Sequence, residues 1–236
     1  MEKQQKIVTM FDDIAKTYDI ANRLLSFGID KSWRKKAVDT AFELNNSAEI
    51  EKIVDVACGT GDMSAFWLKR ANEKNIEIEK IVGVDPSVGM LGVAREKLPH
   101  IEFLEGEATK LPFEDNSIDF ISITYGIRNV VEREKAFAEF SRVLKPDGLL
   151  IILEFMKQDE KKFTSTLTNF YTKKALPFIG GLISGNKEAY QYLPDSIDSF
   201  LTTEMMSQEL KKSSLNTVFT KDFSMGISTL LIAKKS

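Results

Sequence analysis

A chain of 236 residues can bury a sizeable core in one α/β unit, with room for a small accessory element. Its 32 Lys and Arg residues against 35 Asp and Glu leave a net charge of −3, so no basic excess points to nucleic acid or another polyanion. One cysteine, Cys58, excludes an intramolecular disulfide framework and a cysteine-rich zinc site; one histidine, His100, excludes a histidine cluster, so no metal is expected. The polar start MEKQQK has no apolar run behind it and argues against a secretory signal. The longest lipid-friendly stretch, ALPFIGGLIS at 175–184, falls short of the ~20 apolar residues that a spanning helix needs. These features predict a cytoplasmic protein and leave contact with a membrane surface open.

The first fifty residues read as helices. Ile7, Met10, Phe11, Ile14 and Ala15 recur at helical spacing, as do Trp33, Ala37, Val38 and Ala41, with Ser26-Phe27-Gly28 as the loop between. From there short apolar runs alternate with amphipathic segments. Strands are predicted over 53–57, 81–84, 101–105, 120–124 and 149–155. One helix starts at Asp62; a second is capped by Ser87 and ends at Pro99; a third covers 132–143 and is closed by the turn Lys145-Pro146-Asp147-Gly148. Near the end, 218–223 and 227–233 stand close enough to form an antiparallel hairpin.

This alternation predicts a doubly wound α/β fold. Its seven-stranded sheet would be mostly parallel and covered on both faces, while the terminal hairpin cannot be parallel, because so short a connection cannot make a crossover. That arrangement is the class I, Rossmann-like shape used by S-adenosylmethionine-dependent methyltransferases. A single domain is expected over 1–236. Its parts are N-terminal helices on the substrate side (1–48), a cofactor-binding core (49–158), a helical insertion or lid (159–200), and a C-terminal helix with the hairpin (201–236).

The central signal is Asp55-Val56-Ala57-Cys58-Gly59-Thr60-Gly61-Asp62, a strand-to-helix turn in which Gly59 and Gly61 let backbone approach a ligand closely. A lone Gly-x-Gly also serves purely structural turns. Here the second strand ends in Asp85, suited to accept hydrogen bonds from ribose hydroxyls in a nucleoside or dinucleotide site alike. Asp62 separates the two, because it sets negative charge where a pyrophosphate would meet the helix N-terminus. S-adenosylmethionine has no pyrophosphate and carries a cationic amine and sulfonium, which Asp55 and Asp62 favour; Asp62 also suits a helix N-cap. A nicotinamide site is further disfavoured by Ser64, where a third glycine of Gly-x-Gly-x-x-Gly would stand. After the third strand, Glu107-Ala108 places a polar and a small residue where adenine is met in methyltransferases of this type. Phe113 beyond it reads as a hydrophobic plug, and Cys58 as a small packing residue.

At Thr124-Tyr125-Gly126-Ile127-Arg128-Asn129-Val130 the pattern becomes more specific. The chain resembles the ubiquinone/menaquinone biosynthesis C-methyltransferase family over nearly its whole length. The resemblance includes Phe11-Asp12-x-Ile14-Ala15, Tyr18-Asp19-x-x-Asn22, Leu25-Ser26-x-Gly28 and Trp33 at the front. It continues through Arg142-Val143-Leu144-Lys145-Pro146, Leu153-Glu154-Phe155 and Tyr190-x-Tyr192-Leu193-Pro194-Asp195-Ser196-Ile197. It implies that Thr60, Asp85, Glu107, Ala108 and Thr124 contact S-adenosylmethionine. It also implies a prenylated quinol as substrate, either demethylmenaquinol or a ubiquinol precursor. Three departures stand out. Glu107 replaces the family's shorter Asn or Asp, Thr124 its frequent Ser, and Asp30-Lys31 its frequent His-Arg.

Ring methylation ortho to a phenolic hydroxyl needs that phenol to lose its proton. Arg128 is the expected stabiliser of the developing phenolate, with Asn129 orienting the ring and Tyr18 capping the site. An arginine stays protonated at ordinary pH, so bound water or a carboxylate is the better agent for proton removal. A competing reading makes Arg128 part of a structural ion pair with a nearby carboxylate such as Glu132, four residues on. His100 is expected on the surface, at the far end of the sheet. A prenylated acceptor comes from a membrane. The N-terminal helices and the apolar stretch at 175–183 suit a tail-binding lid or a surface that dips into lipid, and equally a buried helix or a dimer contact. A homodimer completes the expectations. Two alternatives stand beside this reading: methylation of another small hydrophobic acceptor, and non-catalytic binding of an adenosine ligand.

Overall fold

The computed structural model describes residues 2–45, 47–157 and 187–236. Two helices lead, α1 (Glu2–Leu25) and α2 (Asp30–Asn45). The sheet is then built from β1 (Glu49–Val56), β2 (Glu77–Asp85), β3 (Glu102–Glu105), β4 (Ile118–Thr124) and β5 (Leu144–Glu154), with α3 (Asp62–Lys74), α4 (Val88–Lys97) and α5 (Arg133–Val143) as crossovers. After the undescribed segment come α6 (Lys187–Asp198), α7 (Thr203–Lys212), β6 (Leu215–Phe223) and β7 (Ser228–Lys235).

The strand order is β3-β2-β1-β4-β5-β7-β6, parallel throughout except for β7, which runs antiparallel to both β5 and β6. Order reverses between β1 and β4, so their carboxyl ends splay apart and leave a crevice where doubly wound sheets bind ligands. Alternate residues serve opposite faces, as the strand period requires. Val54, Ile121 and Ile152 pack with Phe137, Phe140 and Leu210 of α5 and α7. Ile53, Phe120 and Ile151 pack with Trp33, Trp67 and Leu91 of α2, α3 and α4. The doubly wound class I methyltransferase architecture is therefore present, with helices on both faces.

Boundaries differ from the expectations where hydropathy carries no signal. β1 and β2 each begin on a mostly charged Glu-Ile-Glu-Lys, Glu49 to Lys52 and Glu77 to Lys80, which pair in register but are not all buried. The expected turn at 145–148 lies inside β5, where Asp147 takes a positive φ of 65° and the pairing with β4 shifts register between Ile118 and Phe120. An irregularity of this kind absorbs Pro146 without ending the strand. Ser87 does cap α4, accepting from the Met90 N–H at 3.1 Å. Asp62 is no cap: that position belongs to Gly61, whose φ of 80° favours glycine. Of the expected insertion, 159–186 falls outside the described residues, and the apolar stretch at 175–184 with it; its remainder contains α6.

Candidate active site

A cleft opens at the carboxyl ends of β1, β2 and β4. Its floor is Ala57 and Gly59 after β1, Asp85 and Ser87 after β2, and Glu107 and Ala108 after β3. Thr124, Tyr125, Gly126 and Asn129 line it after β4. The opposite wall is α1, which contributes Gln4, Ile7, Val8, Phe11 and Tyr18.

Polar bonds fasten α1 across the sheet, among them those of Gln4, Asp12 and Asp19, besides the Arg23–Asp62 pair. Gln4 Oε1 accepts from the Val131 N–H at 3.1 Å. Asp12 accepts from the Ser87 hydroxyl at 2.6 Å and from the Gly89 N–H at 2.8 Å, at the positive end of α4. Asp19 accepts from the Thr60 hydroxyl and, at 2.8 Å, from Lys97. A helix with one apolar stripe and these polar anchors is thus held as a cover over the crevice.

Of the residues expected at a cofactor, five lie on the cleft: Gly59, Asp85, Glu107, Ala108 and Thr124. Asp85 accepts from the Gly59 N–H and the Ser87 N–H, each at 2.8 Å, tying the first turn to the second. An ionised carboxylate has about four lone-pair sites, so acceptor capacity remains. Burial lifts its pKa to about 6, with nearby Asp12 pushing the same way against the two backbone N–H bonds. Among the described residues, Thr124 Oγ1, buried at the cleft, has no hydrogen-bond partner.

Asp55, Thr60 and Gly61 are not brought into the cleft. Asp55 is 1% exposed and accepts from the hydroxyls of Ser64 and Ser122, both at 2.8 Å, while Trp67 donates its indole N–H to Ser122 at 3.0 Å. Burial raises its pKa to about 6 against those hydrogen bonds. It is a buried fastener between β1, α3 and β4. Asp62 likewise faces Arg23, Arg34 and Lys97. Burial pushes its carboxyl up, but those cations outweigh it and hold the group below the usual carboxylate range.

Asn129 and Tyr18 line the cleft, whereas Arg128 stands behind it with a side chain 7% exposed. The Glu132 pairing does not form. Residues Ile127–Asn129 make a short 3-10 turn and α5 begins only at Arg133, so no common helix face joins 128 to 132. Glu132 pairs with Lys135 instead. Arg128 Nη1 donates to the carboxylate of Glu154 and, at 3.0 Å, to the Tyr125 carbonyl; Nε donates to Ser196 Oγ at 3.3 Å. Its guanidinium lies 5.5 Å over the ring of Phe155. Among the described residues nothing accepts from Nη2. Burial lifts the pKa of the fully buried Glu154, and Arg128 opposes that rise. Burial also lifts the Tyr18 phenol, against its bond with Asn22 and the pull of Arg128 and Arg34.

The residue pattern alone gives no role to Asp12, Asp19, Glu154, Tyr192 or Ser196, although all five fall inside the motifs that carry the family resemblance. An acidic residue closing a strongly apolar strand, as Glu154 closes β5, is the available signal, since a buried carboxylate demands a cation. His100 is exposed, and Cys58 is buried and free, its thiol pushed well up by burial. Among the described residues no group of three or more His, Cys, Asp or Glu side chains is placed to hold a metal, and no helix is long and apolar enough to cross a membrane.

The sequence model of the ubiE/COQ5 methyltransferase family matches residues 1–235. The chain is 52% identical over 235 residues to the ubiquinone/menaquinone biosynthesis C-methyltransferase UbiE of Campylobacter jejuni, with 100% of both chains covered. It is 40% identical over 210 residues to the demethylmenaquinone methyltransferase of Thermotoga maritima, covering 89% of this chain and 88% of that one. Among solved structures, a SAM-dependent methyltransferase from Aquifex aeolicus superposes with TM-score 0.63 at 20% identity, over 95% of this chain and 98% of that chain. A second, from Thermotoga maritima, reaches 0.64 at 20% identity, over 98% and 100%. At such identity the structural likeness speaks for the fold.

Proposed function

The chain belongs to the ubiE/COQ5 methyltransferase family, and we infer from this membership that it is an S-adenosylmethionine-dependent C-methyltransferase acting on a quinol ring in quinone biosynthesis. The observation that carries the reading is the match to UbiE at 52% identity from end to end. The cleft independently fits the methyl donor. Among the described residues, Thr124 presents a buried hydroxyl with no partner, Asp85 keeps acceptor capacity after two backbone bonds, and Gly59, at φ 55°, has no heavy atom within 4 Å of where a Cβ would stand.

When bound, S-adenosylmethionine supplies a methyl group on a sulfonium, an electrophile for a ring carbon. In this reading Asp85 accepts from the ribose hydroxyls, Gly59 admits the ligand against bare backbone, and Glu107, Ala108 and Thr124 surround the adenosine end. The acceptor ring lies toward Tyr18 and Asn129. The two N–H groups of Arg128 Nη2 remain for an acceptor oxygen. Because Glu154 neutralises most of the guanidinium charge, stabilisation of a phenolate comes from aimed donors in a water-poor site more than from net charge. We assign the cofactor side to 49–158 and the acceptor side to the N-terminal helices at 1–48, within one domain. Acceptors carrying a prenyl tail are the finer proposal, with α1 and α2 meeting the membrane surface that holds them.

Methyl transfer from labelled S-adenosylmethionine to reduced demethylmenaquinone and to a reduced demethylated ubiquinone precursor tests the assignment. Label is expected in at least one quinone fraction. Arg128→Ala is expected to lower turnover about 100-fold, the usual cost of one lost oxyanion donor, while donor binding persists. Donor binding with no label in either quinone would redirect the search to other small acceptors.

A further inference from the structure

The segment Tyr190-x-Tyr192-Leu193-Pro194-Asp195-Ser196-Ile197 carries part of the family resemblance, yet the reaction as derived gives it no task. We propose that Tyr192 and Ser196 are positioning residues that hold Asn129 and Arg128 in their working geometry, so that α6 completes the acceptor side of the site. The proposal rests on the reading that Arg128 and Asn129 face the acceptor.

A 3-10 turn of three residues, Ile127–Asn129, cannot by itself fix two long polar side chains; their rotamers need partners from outside. Asn129 obtains them at both ends of its amide. Its Oδ1 accepts from the Tyr192 hydroxyl at 3.0 Å, and its Nδ2 donates to the Tyr125 carbonyl at 3.4 Å. With the acceptor and donor ends both assigned, rotation of the amide by half a turn would break both bonds. Arg128 is held in the same manner. Its Nη1 is bound by Glu154 and Tyr125, and its Nε by Ser196, which leaves Nη2 without an acceptor among the described residues.

Tyr192 and Ser196 are four residues apart on α6, hence neighbours on one helix face. That face packs on the Ile127–Asn129 turn. A connector helix needs only apolar contact to pack there. Instead it delivers one hydroxyl to each member of the Arg-Asn pair, from consecutive turns. Burial raises the Tyr192 phenol, so it stays a neutral donor toward Asn129 at physiological pH, with the Arg128 and Glu154 charges acting in opposite directions on it. Glu154, wholly buried at the end of β5, anchors the guanidinium from the sheet side while Ser196 anchors it from the helix side.

The test compares Tyr192→Phe, Ser196→Ala, Asn129→Ala, Arg128→Ala and the double variant Tyr192→Phe/Asn129→Ala. Readouts are quinol kcat and KM, S-adenosylmethionine affinity by calorimetry, and Tm. Tyr192→Phe is expected to lower kcat by about 10- to 100-fold, with donor affinity within about twofold of wild type and Tm within a few degrees. The double variant is expected to be no slower than Asn129→Ala alone, because the hydroxyl acts only through the amide. Multiplying losses, or wild-type kcat in both Tyr192→Phe and Ser196→Ala while Asn129→Ala is impaired, would overturn the positioning role and leave the acceptor reading standing. Wild-type turnover in both Asn129→Ala and Arg128→Ala would overturn the acceptor reading, and the positioning role with it.

Discussion

The hydroxyl of Thr124 is buried at the end of β4 with no hydrogen-bond partner among the described residues, and such a group costs on the order of 1–3 kcal/mol. A cost of that kind persists where a ligand supplies the missing partner. Thr124→Val keeps the shape and removes the hydroxyl. It is expected to leave Tm unchanged or slightly raised, and to weaken S-adenosylmethionine about tenfold in calorimetry, the worth of one well-made bond. Unchanged affinity would remove Thr124 from the donor site. Asp55 illustrates the opposite outcome at this scale. Sequence pattern places both Asp55 and Asp85 at the cofactor, and the β1–β2 register sets them on one sheet face but two steps apart, Asp55 lying opposite Gly83. Asp85, the last residue of β2, reaches the cleft, whereas Asp55, one residue before the end of β1, turns inward to Ser64 and Ser122. Which of two acidic residues faces a ligand depends on register, which local composition does not encode.

At the scale of elements, α1 has two working faces. Ile14, Ala15 and Ala21 are buried inward, with Met10, Phe11 and Tyr18 packed against them, and Ile7, Phe11 and Tyr18 wall the cleft. Helical periodicity makes that inner stripe legible in the sequence. The outer face is not legible there: Ile20, Leu24, Phe27 and Ile29 lie exposed around the α1–α2 corner, with Phe27 78% exposed at a positive φ of 51°. Lys16, Ile20 and Leu24 follow one another at four-residue spacing, so a lysine borders the apolar tip. If the acceptor comes from a bilayer, this corner is the part of the described surface best suited to meet it. Phe27→Ser is expected to reduce co-flotation with anionic phospholipid vesicles several-fold, with unchanged turnover of a short-tailed, water-soluble quinol. Wild-type protein that fails to float would end the membrane-contact proposal.

For the molecule as a whole, buried carboxylates set a pH dependence of stability, with burial holding up Asp55, Asp85 and Glu154. Folded Asp55 keeps its proton to about pH 6, whereas an unfolded aspartate releases it near pH 4. Folding therefore takes up a proton between those values. The stabilising contribution is full below about pH 4 and is lost as pH rises through about 6. Asp85 behaves alike. Other carboxylates, Asp39, Asp62 and Glu139 among them, act oppositely and lose their contribution as pH falls. Burial pushes Asp39 and Asp62 up, but their cationic partners outweigh it, and Arg142 holds Glu139 down by hydrogen bonding. The net curve is a balance of the two groups. Comparison with Asp55→Asn isolates one component. From about pH 4 to 7 the variant should gain on wild type by roughly 3 kcal/mol in urea unfolding, because a carboxyl raised from near 4 to about 6 carries about 1.36 kcal/mol for each pH unit between. A constant difference across that range would show that Asp55 does not titrate with folding.

Much of this protein is written locally. Strand and helix periods, the Gly59-Thr60-Gly61 turn, the Ser87 cap and the order of alternating elements define a doubly wound sheet with a cleft at its carboxyl edge, because each is a short-range consequence of side-chain pattern and backbone torsion. What the tertiary structure decided is long-range. Gln4, Asp12 and Asp19 close α1 over strand ends far along the chain, Glu154 rather than Glu132 claims Arg128, and Tyr192 and Ser196 return from beyond β5 to hold the Arg-Asn pair. These contacts depend on which charge is left unpaired once the core is buried. A buried carboxylate and a buried guanidinium must find each other wherever the chain brings them, and sequence distance places no constraint on that choice.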